Sequence, residues 1–322
     1  MATTRLYTHG KLKTQGFAVE DISDHIQLKE CTVWADFVSP NAADLAIISE
    51  EFGLHPLAVE DAVHSSQRPK LDRYDTHLFL AAYGVTLDTV TGELETHEIK
   101  AFITPRALIT VHGPDFDISK VVARWDSDKN LAKHGVAYLL WGLLDEIVDG
   151  HFETVQQLDT VSDELEDALF DDRPRDKEVQ RRSFEFRKSL VLLRRVILPM
   201  REVVNTVLRR DLETLDREMA PYFQDVYDHV LRATEWTESL RDLISTILET
   251  NLSIQGNRMN LIMKKVTSWA AIIAVPTAIT GFFGQNLTFI GFGTVWGAYA
   301  SLGLIVVASF ALYLQFRKRD WL

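Results

Sequence analysis

Apolar positions are spread unevenly along the chain. From Val266 to Phe316 there is no Asp, Glu, Lys, Arg or His, a run of 51 residues. A membrane-spanning helix needs about 20 mainly apolar residues. The run therefore predicts two spans in tandem, separated by a short polar break near Gly284–Asn286. Ahead of it the pattern is that of a water-facing protein. His77–Leu87 is apolar and β-prone, Thr91-Gly92 signals a turn, and Thr96–Thr104 and Ala107–His112 read as further strands. Their short connections favour antiparallel pairing. Between Pro40 and Val63 the pattern becomes helical, with Asn41 as N-cap and Gly53 as a stop.

From about Gly135 the chain reads as helix. Asp145–Asp172 holds eleven acidic residues and no Lys or Arg, whereas Arg173–Arg210 holds twelve basic and four acidic ones. Opposite charge on either side of Pro174 predicts an antiparallel helical hairpin. Pro221 suits the first turn of another helix. No strong breaker follows before Gly256, and helical periodicity continues beyond it into the apolar run. A helix from Pro221 to Phe283 is roughly 95 Å long at 1.5 Å per residue. Pro276 falls within the first span, where a local kink is tolerated.

Charge sets an orientation. Arg258, Lys264 and Lys265 precede the first span, Arg317, Lys318 and Arg319 follow the second, and the intervening loop is uncharged. The positive-inside rule places both ends in the cytosol and the loop outside. The amino-terminal MATTRLYTHGKLKTQ has no apolar stretch like that of a signal peptide. Cys31 is the only cysteine, so no intrachain disulfide forms, as suits a reducing compartment. The net charge is −12, and residues 1–265 carry −14. An acidic body concentrates cations near it and argues against a nucleic-acid partner.

Stepping by three and four along the long helix gives Glu249, Leu252, Gly256, Asn260, Met263, Thr267, Ala271, Ala274, Ala278, Gly281 and Gln285 on one face. Within the span this face carries only small residues, while Trp269, Ile272, Ile273, Ile279, Phe282 and Phe283 occupy the others. Small residues let helices pack closely, and they also leave room for a lumen when several helices form a ring. Two spans cannot enclose a pore alone, so a channel requires several copies.

Specific blocks carry a family resemblance. The break reads Gly281-Phe282-Phe283-Gly284-Gln285-Asn286, preceded by Val275-Pro276-Thr277, and the chain ends Arg317-Lys318-Arg319-Asp320-Trp321-Leu322. Further blocks are Trp34-Ala35-Asp36 with Pro40, Phe52 to Asp61, Gln67 to Asp72, Leu198 to Glu202 and Tyr222 to His229. Together, over nearly the whole chain, they resemble the CorA family of divalent-metal transporters. That family ends its first span in Gly-Met-Asn, whereas this chain has Gln285 in the middle position. Its outer loop usually carries acidic residues, whereas Leu287–Val295 has none.

The resemblance implies an α/β cytosolic domain with long helices, a two-helix membrane domain and a funnel-shaped homo-oligomer, a pentamer. The expected division is 1–130 for the α/β domain and 131–265 for the helical domain with its stalk. The first span is 266–283, the outer loop 284–294, the second span 295–316 and the basic tail 317–322. The implied localisation is the cell inner membrane. The implied function is influx of Mg2+, or of Co2+ or Ni2+, driven by membrane potential and gated by internal divalent ions. A zinc transporter of the same superfamily (carrying Zn2+) and a membrane-anchored ion sensor are the alternatives.

By the same resemblance Gly284, Gln285 and Asn286 form the pore entrance. Glu249, Asn260, Met263, Val266, Thr267, Ala271, Ala274, Val275 and Ala278 line or gate the path. Glu60, Asp61 and Asp225 hold regulatory ions between neighbouring subunits. An enzyme is not indicated: the chain has no Gly-Lys-Ser/Thr nucleotide loop, no His-rich metal spacing and no catalytic cysteine pair.

Overall fold

A computed structural model describes residues 2–28, 30–64, 67–169, 176–209, 216–285 and 293–322, with only the backbone for Ala42 and Asp176. It divides into two compact units, Met1–Ile247 and Leu248–Leu322.

The first unit is built on a seven-stranded sheet. Its strands are β1 (Ala2–Thr8), β2 (Lys11–Gln15), β3 (Cys31–Val38), β4 (Lys70–Arg73), β5 (Leu78–Asp88), β6 (Glu93–Ile103) and β7 (Ala107–His112), in the order β2-β1-β3-β7-β6-β5-β4. The β5–β6 and β6–β7 pairs are antiparallel, as their short turns predict. The β3–β7 pair is parallel, with Trp34 opposite Leu108. This long-range pairing is invisible to a reading based on turns. Strand β2 is an exposed edge whose Lys11 and Lys13 discourage further pairing.

Helices cover both faces of the sheet. On one side lie α1 (Ile22–Gln27), α2 (Ala42–Phe52) and α3 (Pro56–Val63). They pack on Val33, Ala35, Phe37, Phe79, Phe102 and Ile109. On the other side lie α4 (Ile118–Ser127), α5 (Val136–Leu169), part of α6 (Asp176–Leu208) and the start of α7 (Ala220–Phe283). These meet Trp34, Leu80, Ile99, Ala101, Ile103 and Leu108. Alternate residues of a strand face opposite sides. Burial on both sides is why β5–β7 read as near-continuous apolar runs rather than as alternation.

Local signals fix the helix ends near the candidate site. Asn41 Oδ1 accepts from the backbone N–H of Ala43 and Asp44, and Asp44 accepts from Asn41 N, a complete capping box. Gly53 ends α2 at φ +58°, a left-handed angle suited to glycine. Pro56 opens α3 behind His55, whose Nδ1 accepts from Leu57 N. Helices α5 and α6 are joined by an Arg182–Glu164 ion pair of 2.9 Å. The residues around Pro174 lie outside the described ones.

The second unit holds the remainder of α7 and α8 (Val295–Lys318). Both are long and apolar enough to cross a membrane, and only 6% of each apolar window is buried. Helix α7 is unbroken over 64 residues, with Pro276 inside it. Thr277 Oγ1 donates to Ile273 O and Thr280 Oγ1 to Pro276 O, so these hydroxyls are satisfied within the helix.

Candidate functional site

Two sets of residues are candidates, one in each unit. In the membrane-type unit, Ser268, Ile272, Val275, Pro276, Ile279 and Phe283 of α7 are the less exposed positions, while Thr267, Ala270, Ala274, Thr277, Ala278 and Gly281 are exposed. The bulky Trp269, Ile273 and Phe282 are exposed as well, so most of the span, small residues included, is uncovered in the single chain. Ala271 and Val275 sit toward the covered side. Nearer the start of the unit, Glu249, Asn260, Met263 and Val266 are all exposed. Asn260, Met263 and Thr267 border one cavity of about 610 Å³, together with Lys264 and Trp321 of the tail. The ring of Trp321 stacks on Phe316 at 5.7 Å.

At the end of α7 the chain turns through Gly284 and Gln285. Gly284 N donates to Thr280 O at 2.8 Å and Gln285 N to Phe282 O at 3.3 Å. A Cβ at Gly284 would stand 3.1 Å from Thr280 O, so glycine relieves a tight approach. Asn286 lies outside the described residues.

In the first unit, Glu60 is exposed on α3, and Asp225 is exposed on α7. No group of three or more His, Cys, Asp or Glu able to hold a metal occurs among the described residues. Asp61 is not a free carboxylate. Its Oδ2 lies 2.6 Å from Lys70 Nζ, and its Oδ1 accepts from Gln67 Nε2 at 2.6 Å. The Lys70 hydrogen bond holds the Asp61 pKa below the usual carboxylate value, against partial burial, with help from Gln67. Lys70 also contacts Asp72 Oδ2 at 2.6 Å. A residue-type reading selects acids as cation ligands and passes over this lysine. Its signal in the sequence is the Gln67-Arg68-Pro69-Lys70-Leu71-Asp72 block, one of those that carry the family resemblance.

A second cation fixes the end of the same helix. Lys100, almost wholly buried, donates to Ala62 O at 3.2 Å and His64 O at 2.7 Å and pairs with Glu98 at 3.3 Å. Positive charge there also suits the helix dipole. Glu98 in turn accepts from Tyr83 OH at 2.9 Å and Gln67 N at 3.3 Å. The carboxyl-terminal end of α3 and the Gln67–Lys70 segment are therefore tied to the sheet. Beside them a cavity of about 340 Å³ is lined by His97, Glu98, Lys100, His112 and Asp115 among others.

The order of these elements is that of a known family. The model for the CorA-like Mg2+ transporter protein matches residues 29–318. The chain belongs to the CorA family. It is 32% identical over 292 residues to YfjQ of Bacillus subtilis, a candidate metal ion transporter, covering 89% of each chain. It is 29% identical over 313 residues to the cobalt/magnesium transport protein CorA of Thermotoga maritima, covering 95% of this chain and 88% of that one. The complete CorA magnesium transporter structure from Methanocaldococcus jannaschii superposes with a TM-score of 0.81 at 21% identity, over 100% of this chain and 99% of that one. The α/β unit, the long helix and the two candidate spans are thus the CorA fold. CorA proteins are divalent-metal transporters rather than a class of enzymes, and the two apolar helices accord with a membrane protein.

Proposed function

We propose that this chain mediates influx of Mg2+, with Co2+ and Ni2+ as further substrates, through a homo-oligomeric pore. The observation that carries the reading is the run of small residues along one face of α7, from Thr267 through Ala274 and Ala278 to Gly281, in a span that the single chain leaves largely exposed. The single chain supplies no wall for that face, so copies arranged as a ring complete it. Five copies is the number that the CorA resemblance implies. Both termini lie in the cytosol, and residues 284–294 form the outer loop between spans 266–283 and 295–316.

Mg2+ gives up its water reluctantly. At the entrance, Gly284 and Gln285 shape the turn, and a ring of Asn286 amides accepts hydrogen bonds from the ion's water shell. Below it, Ala274 and Ala278, with the half-buried Ala271 and Val275 at the edge of the face, keep the path narrow and weakly polar. Met263 and Val266 form a constriction that closes by dewetting, with the Thr267 hydroxyl between dry levels. Asn260 and the Glu249 carboxylate ring draw the ion onward. A double charge crossing 100 mV, inside negative, gains about 4.6 kcal/mol, so entry needs no ATP.

Such a downhill path calls for feedback. Glu60 and Asp61 of one copy face Asp225 of the next, and a divalent ion there cancels repulsion between carboxylates. These acids suit a shared site: Glu60 and Asp225 are exposed, and Asp61 is accessible enough to be reached.

The test is flux into sealed vesicles containing only this protein, with a negative-inside potential and Mg2+, Co2+, Ni2+ or Zn2+ outside. Mg2+ entry that rises with potential is expected. Zn2+ entry without Mg2+ entry reassigns the substrate. No entry of any ion through an intact oligomer makes the chain an anchored sensor.

A further inference from the structure

Asp61 already carries a cation of its own. Lys70 Nζ stands 2.6 Å from Asp61 Oδ2 on α3 and 2.6 Å from Asp72 Oδ2 on β4. Lys70 and Asp72 are two apart on one strand, opposite Ala81 and Phe79, so their side chains lie on the same face of the sheet. Their contact is built into β4 and does not depend on α3. The ammonium also lies 5.6 Å from the centre of the Phe79 ring. The side chains of Asp61, Lys70 and Asp72 are 26%, 31% and 39% exposed, so a hydrated ion can approach.

We propose that Lys70 is a tethered counter-ion that competes with divalent ions for Asp61, and so sets the metal concentration at which the first unit responds. This rests on the reading of Asp61 as a ligand of the regulatory ion. An ammonium in contact with one carboxylate oxygen repels a divalent ion seeking the same carboxylate. Lys70 must withdraw, and Asp72 gives it a place to go. A lysine suits this role: it is a point charge with three donors on a flexible stem. It can drop one partner while keeping another. Gln67 stays on Oδ1 and holds the carboxylate in orientation during the exchange. By competing for Asp61, the lysine moves the response to higher ion concentration than the acids alone would give.

The measurement is the Mg2+ midpoint for protection of the full-length protein from protease. Lys70→Gln should lower that midpoint roughly fivefold, the size of a strong exposed ion pair. Lys70→Arg, which keeps the charge, should stay near wild type and so excludes a packing defect. Asp72→Asn should raise the midpoint, because the ammonium is left with Asp61 alone. In the Lys70→Gln background the Asp72→Asn shift should vanish. An undiminished shift there, or a midpoint unmoved by Lys70→Gln, overturns the proposal. Asp61→Asn combined with Asp225→Asn tests the underlying reading separately. If that pair leaves the Mg2+ dependence unchanged, the sensor lies elsewhere. If it abolishes protection while Lys70→Gln has no effect, only the competition is wrong.

Discussion

His151, in the middle of α5, donates its Nε2 proton to the backbone carbonyl of Tyr83 on β5 across 2.7 Å. The ring is 1% exposed, and Nδ1 has no partner among the described residues. The imidazole is therefore neutral, and burial pulls its pKa down to about 4 from 6.5. In the unfolded chain it takes up a proton at higher pH. Its contribution is present above pH 6.5 and is lost as pH falls toward 4, at most roughly 3 kcal/mol. His151→Gln keeps a donor for Tyr83 without the titration. Melting temperatures of the two proteins should converge as pH falls from 6.5 to 4.5.

Another buried histidine, His112, titrates in the opposite sense. His112 Nε2 faces Asp36 at 3.2 Å, and Nδ1 faces Gly113 O at 2.6 Å. A carbonyl only accepts, so the contact with Gly113 O calls for a proton on Nδ1, and the Asp36 side chain beside Nε2 favours the second proton. Asp36 also accepts from Thr110 Oγ1, which accepts from Trp34 Nε1. His97, Glu98, Lys100 and Asp115 line the same cavity. Burial lowers the His112 pKa, but the Asp36 hydrogen bond and charge outweigh it, and the net shift is upward. The pair stabilises fully below pH 6.5 and weakens as pH rises through the shifted value. His112→Asn should flatten the decline in stability as pH rises above 6.5. NMR of the imidazole nitrogens should show the doubly protonated ring in the wild type at pH 6.5.

These two histidines mark where the sequence stops being legible. Asn41, Gly53 and Pro56 announce their helix ends by chemistry that acts within three residues. The β5–β7 strands announce themselves by composition. The parallel β3–β7 pairing, the seating of His151 under Tyr83 and the capture of Asp61 by Lys70 join residues that only the folded chain brings together. Lys100 reads as an ordinary polar position of Thr96–Thr104, although it is buried and caps α3. The small face of α7 is legible because helical spacing is local, whereas exposure in the single chain does not set it apart, since Trp269, Ile273 and Phe282 are exposed too.

At the entrance, Asn286→Ala should lower Mg2+ flux at least tenfold, since a lost amide hydrogen bond to a charged species is worth about 1.5–3 kcal/mol per site. The oligomer should persist in size-exclusion chromatography. Gln285→Met should retain flux if the middle position serves the turn. Wild-type flux in the Asn286→Ala protein removes that residue from the mechanism.

Gly281 offers the sharpest separation of lumen from packing. It lies on the exposed face of α7, and a Cβ added there meets nothing within 4 Å. The first carbon of a larger side chain is therefore accommodated among the described residues. As a helix former leucine is better than glycine by about 0.8 kcal/mol, so α7 itself should be no less stable. If the small face lines the path, Gly281→Leu should block flux while the oligomer keeps its size, because several leucines converge where glycines left space. If the face serves close helix packing instead, the same change should dissociate the oligomer. Unchanged flux with an intact oligomer would place Gly281 against lipid and remove the small-residue face from the pore. Measuring vesicle flux and oligomer size on one preparation decides among the three.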